Sequence, residues 1–296
     1  MRKYVILSIL LLSINPCVLS QAASDPILVS TDWLAEHIQD TSLVILHVAA
    51  IRADYTREHI PGARFLWNGW IAESNPDLSN EVPDAEKLDT LLEGLGISNN
   101  SRIIIYHDLQ DAAAAARAYI TLDYLGMGNR TSILNGGFET WKGEGKSVTK
   151  EIPSVDRGKF TPRIKEGVFI DIDGVIAGSQ SMRSKLVDGR SKQGYSGGGT
   201  GIFRPGHITG AVNIPSSSVL DSSGRYLPND SLRTLFQRTN INQGDEIIAY
   251  CYIGRSACPI YIAAKILGHQ VHLYDGSFEE WSRRTELPVE SGKPGH

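Results

Sequence analysis

A cysteine at the end of an apolar run is the residue of this chain best suited to nucleophilic chemistry. The run 247–250 ends directly on Cys251, and five residues, among them Gly254 and Arg255, follow before a helix is expected to begin. Loop N–H groups and a helix N-terminus that face a thiol favour negative charge. Because the thiolate is the reactive form of cysteine, the pattern predicts that Cys251 is a nucleophile. The alternative is a buried structural cysteine, since cysteine is among the most buried residue types.

The loop after this cysteine supplies candidate substrate contacts. Arg255 carries the only charge of the loop, and we expect it to face the thiolate or an anionic substrate rather than solvent. The other loop residues, which offer backbone N–H groups to the sulfur, are Tyr252, Ile253, Gly254, Ser256 and Ala257. A second arginine, Arg190, follows the short apolar segment 186–188. Ligands of parallel α/β sheets bind at the carboxyl ends of strands, so Arg190 is a further candidate, with a surface charge as its alternative role.

A helix is expected directly after the loop. Ser256 is its expected N-cap, Pro259 falls in the first turn, where a missing N–H costs little, and Gly268 ends the helix. A single apolar stripe at helical spacing is formed by Ala257, Ile260, Tyr261, Ala264 and Leu267. Cys258 lies on this helix and should pack as a small apolar group, because a strand-end and a helix position rarely meet the geometry of a disulfide with Cys251.

The sequence contains two copies of one unit. Three pairs of segments correspond in order along the chain, namely 55–66 with 203–214, 103–106 with 247–250, and 134–141 with 274–281. In the first copy His107 stands in the place of Cys251, and the acidic segment 108–111 replaces the loop. We therefore expect the first copy to be catalytically silent. His59 and His207 occupy the same position in both copies, which favours a structural role in the turn over a catalytic one.

Each copy reads as an α/β domain. Short apolar strands are expected at 43–48 and 186–188, and amphipathic helices at 84–94 and 231–238. Strands that alternate with helices favour a parallel sheet. Between the copies, residues 148–167 carry two prolines and little periodicity, which predicts a linker. We therefore predict a silent domain at 25–147 and a catalytic domain at 168–290.

The N-terminus has the pattern of a secretory signal peptide at residues 1–22. Arg2 and Lys3 precede a mostly apolar stretch that is short for a bilayer span, and small residues favour cleavage after Ala22. The expected location is periplasmic or secreted, with no membrane attachment after cleavage; an uncleaved anchor is the alternative. The formal net charge of −4 gives no general attraction to nucleic acid or to acidic membranes.

The chain resembles the tandem-domain rhodaneses, the thiosulfate and 3-mercaptopyruvate sulfurtransferases. The resemblance spans about Leu28 to Val289 and rests on four motifs, which are 55–66, 135–138, 275–277 with Trp281, and 251–256. It implies two rhodanese-like domains, each a parallel sheet flanked by helices, with the cysteine only in the second. It also implies transfer of sulfane sulfur from a small-molecule donor to a thiophilic acceptor through a Cys251 persulfide, with Arg190 binding the charged end of the donor. No metal or organic cofactor is implied.

Substrate choice stays open at two residues. Tyr252 and Ile253 match neither the basic pair usual in thiosulfate enzymes nor the Gly-Ser pair usual in mercaptopyruvate enzymes of that family. The cationic loop favours thiosulfate, with 3-mercaptopyruvate second. A cysteine phosphatase would need an arginine where this chain has Ala257. A non-enzymatic exported sulfur carrier or binding module is the remaining alternative, and the physiological donor, the acceptor and the oligomeric state stay undetermined.

Overall fold

A five-stranded parallel sheet organises the first half of the chain. The computed structural model describes residues 25–109, 111–198 and 203–292. The strands of this sheet are β1 (Leu28–Val29), β2 (Leu43–Ala49), β3 (Arg64–Trp67), β4 (Arg102–His107) and β5 (Thr131–Leu134), in the spatial order β1-β5-β4-β2-β3. Its helices are α1 (Thr31–His37), α2 (Arg52–Arg57), α3 (Ala85–Gly94), α4 (Ala112–Tyr124) and α5 (Gly137–Gly143).

The second half repeats this order. Its parallel sheet contains β6 (Phe169–Ile170), β7 (Ser184–Asp188), β9 (Val212–Asn213), β10 (Glu246–Tyr250) and β11 (Val271–Tyr274), in the order β6-β11-β10-β7-β9, while β8 (His207–Ile208) pairs antiparallel with β12 (Val289–Glu290). Its helices are α6 (Ile172–Ser179), α7 (Lys192–Tyr195), α8 (Asn229–Gln237), α9 (Cys258–Ile266) and α10 (Ser277–Arg283). The prediction of two parallel sheets flanked by helices is confirmed.

Burial on both faces explains why the central strands are apolar without alternation. All seven residues of β2 are buried, and so are the last four of β10. Strands of a parallel sheet covered by helices on both faces read as continuous apolar runs. The expected strands 43–48 and 186–188 and helices 84–94 and 231–238 correspond to β2, β7, α3 and α8, with ends that differ by one or two residues.

Equivalent hydrogen bonds relate the two copies. The hydroxyl of Tyr106 accepts from the N–H of Ile60 at 3.2 Å, and the hydroxyl of Tyr250 accepts from the N–H of Ile208 at 3.1 Å. The repeated histidines also behave alike. Nδ1 of His59 lies 2.7 Å from the carbonyl oxygen of Tyr55, and Nδ1 of His207 lies 2.9 Å from that of Tyr195. These contacts tie each histidine to the backbone of a helix that precedes it, α2 for His59 and α7 for His207, in keeping with the structural role expected for both.

The helix after the cysteine differs from its expected form in two respects. Ser256 is not the N-cap, because α9 begins at Cys258 and is preceded by Ala257, which makes no side-chain cap. The buried surface is not a stripe either, since every residue from Cys258 to Ala264 is buried. The physical reason is that α9 lies between its own sheet and α4 of the first domain. Pro259 in the first turn and Gly268 at the end, with φ +82°, are as predicted.

The segment between the domains is extended and held against the first domain. Within 148–167 the structure assigns no helix or strand, and Arg163 and Lys165 donate backbone hydrogen bonds to Leu125 and Tyr124 at 3.0 and 2.8 Å. The predicted signal peptide at 1–22 lies outside the described residues. Among the helices that the structure does describe, none has the length and apolar character required to cross a bilayer.

Candidate functional site

Cys251 lies at the carboxyl edge of the second sheet, directly after β10. Parallel pairing aligns Tyr250 of β10 with Asp188 of β7, so the residues that follow both strands emerge at one edge. The backbone there is closely packed: a Cβ atom on Gly189 would lie 2.8 Å from the carbonyl oxygen of Ser256. The sulfur-bearing residue is almost fully buried, with 1% of its surface exposed. The register of two strands therefore brings the cysteine loop and Arg190 together, as the sequence predicted from each strand separately.

The turn before α10 holds the backbone of the nucleophile. The N–H of Cys251 donates to Oγ of Ser277 at 3.2 Å, and Oγ of Ser277 donates to the carbonyl oxygen of Tyr274 at 2.8 Å. In addition, the N–H of Phe278 donates to the carbonyl oxygen of Cys251 at 3.0 Å. Ser277 adopts φ +51°, a left-handed conformation that is uncommon for residues other than glycine. Ser277 thus has a positioning role that sequence reasoning missed, although its place in a repeated motif that has Gly137 in the first copy was visible.

The loop itself turns sharply over an aspartate. Gly254 has φ +71°, and a Cβ there would lie 2.8 Å from the carbonyl oxygen of Asp275, so only glycine fits without displacement. Among the hydrogen bonds of the described residues, none is donated by the N–H groups of Gly254, Arg255, Ser256 and Ala257. These donors are therefore available to a bound anion, as expected for an anion-binding loop.

Arg190 is a buried cation beside this loop. Its Nε lies 3.0 Å from both carboxylate oxygens of Asp188, and its Nη2 donates to Asp188 and to the carbonyl oxygen of Gly206 at 2.6 and 2.7 Å. Burial lowers the pKa of Arg190, but the hydrogen bonds and charge of Asp188 outweigh it and raise the pKa overall, with a smaller contribution from Cys251. The guanidinium carbon lies 4.3 Å from the ring centre of Phe278. Its Nη1 is buried and has no hydrogen-bond partner among the described residues.

Arg255 occupies a different position from the one expected. Its guanidinium pairs with Asp111, at the start of α4 in the first domain, and the side chain is partly exposed. The acidic segment of the silent copy therefore neutralises the one charge of the catalytic loop. A role of Arg255 in substrate binding stays a prediction, and so does that of Tyr252 and Ile253, which are partly buried at the surface of the loop.

Cys258 is a free, structural thiol. Neither described cysteine forms a disulfide. Cys258 is fully buried and its Sγ donates to the carbonyl oxygen of Gly254 at 3.1 Å. Burial raises the pKa of Cys258 to about 12, with Arg117 opposing the shift. A thiol in this state is unreactive at neutral pH, which agrees with the expectation that it packs as a small apolar group.

The first domain supplies one wall of the loop, a feature the sequence did not indicate. The segment 79–82 donates four hydrogen bonds across the domain boundary. Nδ2 of Asn80 donates to the carbonyl oxygen of Ile253 at 2.9 Å, and the N–H of Val82 donates to Asp275 at 2.7 Å. The N–H and Oγ of Ser79 donate to the carboxylate of Glu279 at 2.8 and 3.3 Å. Asn80 has φ +65°, which presents its amide to the loop. The loop that follows Cys251 is therefore held by residues of both copies.

A buried ion pair joins the domains behind the loop. Arg117 of α4 is 3% exposed, and both of its Nη atoms contact the carboxylate of Asp275, one of them at 3.0 Å. Nη2 also donates to the carbonyl oxygen of Asn80 at 2.8 Å. Glu81 lies next to this pair, and burial, together with the negative charge of Asp275, raises its pKa to about 7 despite Arg117. In the described part of the chain no cluster of histidine, cysteine and carboxylate side chains is arranged to hold a metal ion.

Comparison with known proteins agrees with this architecture. The model of the rhodanese-like domain matches residues 30–144 and 174–284. Solved structures of EanB share the fold, with a TM-score of 0.80 for the wild-type protein at 23% identity, covering 90% of this chain and 70% of that one.

Relatives of similar length are more informative. The sulfur carrier protein TtuD of Thermus thermophilus is 32% identical over 285 residues, covering 92% of this chain and 99% of the relative. The thiosulfate sulfurtransferase of Rattus norvegicus is 32% identical over 288 residues, covering 90% of this chain and 96% of its own length. Both domains match the family model, the two sheets are equivalent, and these relatives align over nearly the whole chain. The chain belongs to the rhodanese family of sulfurtransferases and sulfur carriers.

Proposed function

We propose that this protein transfers sulfane sulfur from thiosulfate to a thiophilic acceptor, such as cyanide or a thiol, through a persulfide on Cys251. The observation that carries the proposal is the buried Nη1 of Arg190, which has no partner among the described residues, in a side chain that lies at the same sheet edge as Cys251 and close enough for the charge of Cys251 to act on it. A buried cationic donor without a partner is costly, and an anionic ligand removes that cost. The sulfonate end of thiosulfate matches this requirement in charge and in size.

The reaction consists of two displacements at sulfur. The Cys251 thiolate attacks the outer sulfur atom of thiosulfate, the S–S bond breaks, and sulfite leaves with the bonding electron pair. Cyanide then attacks the terminal sulfur of the persulfide, and the Cys251 thiolate leaves with its electron pair as thiocyanate forms. The N–H groups of Gly254, Ser256 and Ala257 stabilise the anionic persulfide between the two steps, as preorganised donors stabilise developing charge in other enzymes.

Asp188 and Ser277 are positioning residues in this scheme. Asp188 is fully buried and binds Arg190 through both oxygens, which fixes the direction of Nη1. Ser277 fixes the backbone of the nucleophile. Neither residue contacts the reacting sulfur, so their removal should misplace the groups that do.

The test is a steady-state comparison of thiocyanate formation with thiosulfate and of pyruvate formation with 3-mercaptopyruvate. We expect the higher kcat/KM with thiosulfate, no turnover in Cys251→Ser, and a raised KM for thiosulfate in Arg190→Gln. Arg204→Gln is the matched control, because among the described residues its guanidinium donates hydrogen bonds to backbone carbonyls in and after α10 and to no side chain. Turnover that survives in Cys251→Ser would refute the persulfide mechanism, and a higher kcat/KM with 3-mercaptopyruvate would refute the choice of donor.

A second candidate function is that of a sulfur carrier that loads Cys251 and passes the sulfur to a partner protein without turnover on small acceptors. The similarity to the carrier protein of Thermus thermophilus supports it. Intact-mass measurement separates the two functions. A carrier gains one sulfur atom, 32 Da, per chain and forms no catalytic excess of thiocyanate, whereas the enzyme forms many equivalents.

We also propose that the protein is exported after cleavage behind Ala22. The support is the sequence of residues 1–22, in which a charged start is followed by an apolar stretch and then by small residues. Expression of the full chain in a bacterial host, followed by fractionation and N-terminal sequencing, tests this. A periplasmic protein that begins at Ala23 is expected, and a cytoplasmic protein that retains Met1 would contradict it.

A further inference from the structure

An asparagine at the end of β9 holds the turn that carries Arg190. Strand pairing places Asn213 beside Asp188. Nδ2 of Asn213 donates to the carbonyl oxygens of Asp188 and Arg190, each at 2.9 Å. The N–H of Arg190 in turn donates to Oδ1 of Asp188 at 2.9 Å. The peptide groups on both sides of Arg190 are therefore held by side chains, which fixes the main chain from which the guanidinium extends.

The turn formed by residues 188–190 is in direct contact with the loop that follows Cys251. The N–H of Gly189 donates to the carbonyl oxygen of Tyr250, directly before the cysteine, at 2.8 Å. No Cβ atom fits at Gly189 without displacement, because it would lie 2.8 Å from a backbone oxygen of the loop. A displaced turn therefore alters both the direction of Arg190 and its distance from the loop.

The silent copy has none of the three residues that form this arrangement. By strand register, the positions that correspond to Asp188, Arg190 and Asn213 are those of His47, Ala49 and Phe65. The strand that contains Phe65 still pairs in the same parallel register with its neighbour. The amide is therefore not required to build the sheet, and it occurs in the copy that has the cysteine.

The amide of Asn213 is also not fully satisfied. Its Oδ1 is buried and has no hydrogen-bond partner among the described residues. A buried acceptor without a partner costs free energy on folding, and an apolar side chain of similar shape avoids that cost. Stability alone therefore does not explain an asparagine at this position, whereas its two hydrogen bonds to the turn point to a role in placing Arg190.

We propose that Asn213 is a positioning residue for the first half-reaction, in which the sulfur donor binds and reacts. Its amide holds the main chain of Arg190 so that the guanidinium is directed toward the charged end of the donor. Asn213 acts through Arg190 and contacts neither the donor nor the reacting sulfur. This inference rests on the proposed function, with thiosulfate as the donor. Because cyanide attacks the persulfide after sulfite has left, the second half-reaction does not depend on Asn213.

The test compares the two half-reactions in Asn213→Leu, which removes both donors and keeps a branched side chain of similar size. We expect kcat/KM for thiosulfate to fall about tenfold to 100-fold, the range of a misplaced binding group. The kcat/KM for cyanide should be unchanged. Asn99→Leu is the matched control, because Asn99 accepts one backbone hydrogen bond in the first domain, from Thr161, and its loss should change neither constant. Equal losses with both substrates, or an unchanged kcat/KM for thiosulfate, would overturn the proposal.

A double variant tests whether Asn213 acts through Arg190. In protein that already carries Arg190→Gln, the change Asn213→Leu should not lower kcat/KM for thiosulfate further, because the group that it positions is gone. Effects that multiply would overturn the proposal. If Asn213→Leu does not fold, Asn213→Ser takes its place. Ser keeps one shorter donor, so a smaller loss confined to thiosulfate is then expected, and a loss with both substrates would again overturn the proposal.

A chemical readout separates this inference from the proposed function. Iodoacetate is an anion and iodoacetamide is neutral, so the ratio of their alkylation rates at Cys251 reports a cation placed near the thiolate without any sulfur transfer. This ratio should fall in Asn213→Leu as it does in Arg190→Gln. A ratio that falls in Arg190→Gln but not in Asn213→Leu would overturn the role of Asn213. Failure of thiosulfate turnover in the wild-type protein would refute the proposed function alone.

Discussion

Removal of Arg117 should show how strongly the domain boundary supports the catalytic loop. In Arg117→Met the aliphatic part of the side chain stays, but Asp275 loses both guanidinium contacts and Asn80 loses one. Asp275 then keeps the N–H of Val82 as a donor and lies beside Glu81 without a cation. Breaking one side of a buried ion pair costs about 3–5 kcal/mol, because the remaining charge is left desolvated. That is a large part of the stability of an ordinary domain.

The loss of stability in Arg117→Met should depend on pH in a defined direction. Arg117 opposes the rise in the pKa of Glu81, so its removal lifts the folded pKa of this carboxyl further above its unfolded value. Stability of the variant is therefore highest below the unfolded pKa and falls as the pH rises through the folded one. Urea unfolding followed by fluorescence and circular dichroism at pH 5.5 and pH 8 measures both effects. The difference in the free energy of unfolding between the variant and the wild-type protein should be smaller at pH 5.5 than at pH 8.

A double variant tests the cause. Arg117→Met combined with Asp275→Asn removes both charges while an amide oxygen still accepts from Val82. We expect it to recover part of the lost stability and to show the weaker pH dependence. A loss below about 1 kcal/mol in the single variant, the range of exposed pairs, would refute the view that this contact is buried and dry. If the double variant lost as much stability as the two single variants lose together, coupling between the two charges would be refuted.

Three further predictions concern neighbouring groups. The pKa of Glu81 is raised to about 7 from an ordinary value of 4.5. Its contribution to stability is therefore greatest below pH 4.5 and is lost towards pH 7. In urea titrations, Glu81→Gln should flatten the dependence of the free energy of unfolding on pH over this range. Cys258 has its pKa raised to about 12. In protein that begins at Ala23 and so lacks Cys17, iodoacetamide at pH 8 should modify Cys251 but not Cys258, and Cys258→Ala should retain turnover. Alkylation of both of these thiols by intact mass would contradict this. Arg255→Ala should raise the KM for thiosulfate if its charge serves the substrate. Asp111→Asn, which frees Arg255 and keeps a side-chain oxygen that can accept from the N–H of Ala114 as the N-cap of α4, should lower this KM. Equal effects of both variants would identify the pair as a domain contact.

Much of the fold was predictable because its signals are local. Continuous apolar runs of a few residues predict strands buried on both faces, and β2, β7 and β10 follow them closely. Comparison of the two copies also predicted that the nucleophile is in the second copy, at Cys251, since residue type at an aligned position needs no coordinates. The end of β10 and the start of α9 then place this cysteine at a sheet edge.

The expected helix differs from α9 at its first residue and in its buried surface. Ser256 was expected as the N-cap because its side chain can cap a helix, yet α9 begins two residues later, at Cys258. The prediction of a single apolar stripe assumed that only one face of α9 is buried. In the structure α4 covers the opposite face, and helical spacing in the sequence does not indicate which other helix will pack there. Tertiary packing overrides local preferences in this way whenever an element is enclosed from several sides.

The sequence alone determined two α/β units, and it predicted a nucleophile and an arginine at a neighbouring strand end, because each depends on residues close together in the chain. Only the tertiary structure decided what holds and surrounds the nucleophile. Arg117 meets Asp275 across 158 positions and Asn80 reaches Ile253 across 173, and no local pattern marks either pair. The same holds for Arg255, whose charge faces Asp111 of the silent copy rather than the sulfur. These contacts between distant segments form when the two folded domains pack together, and that packing depends on shape and burial over the whole interface.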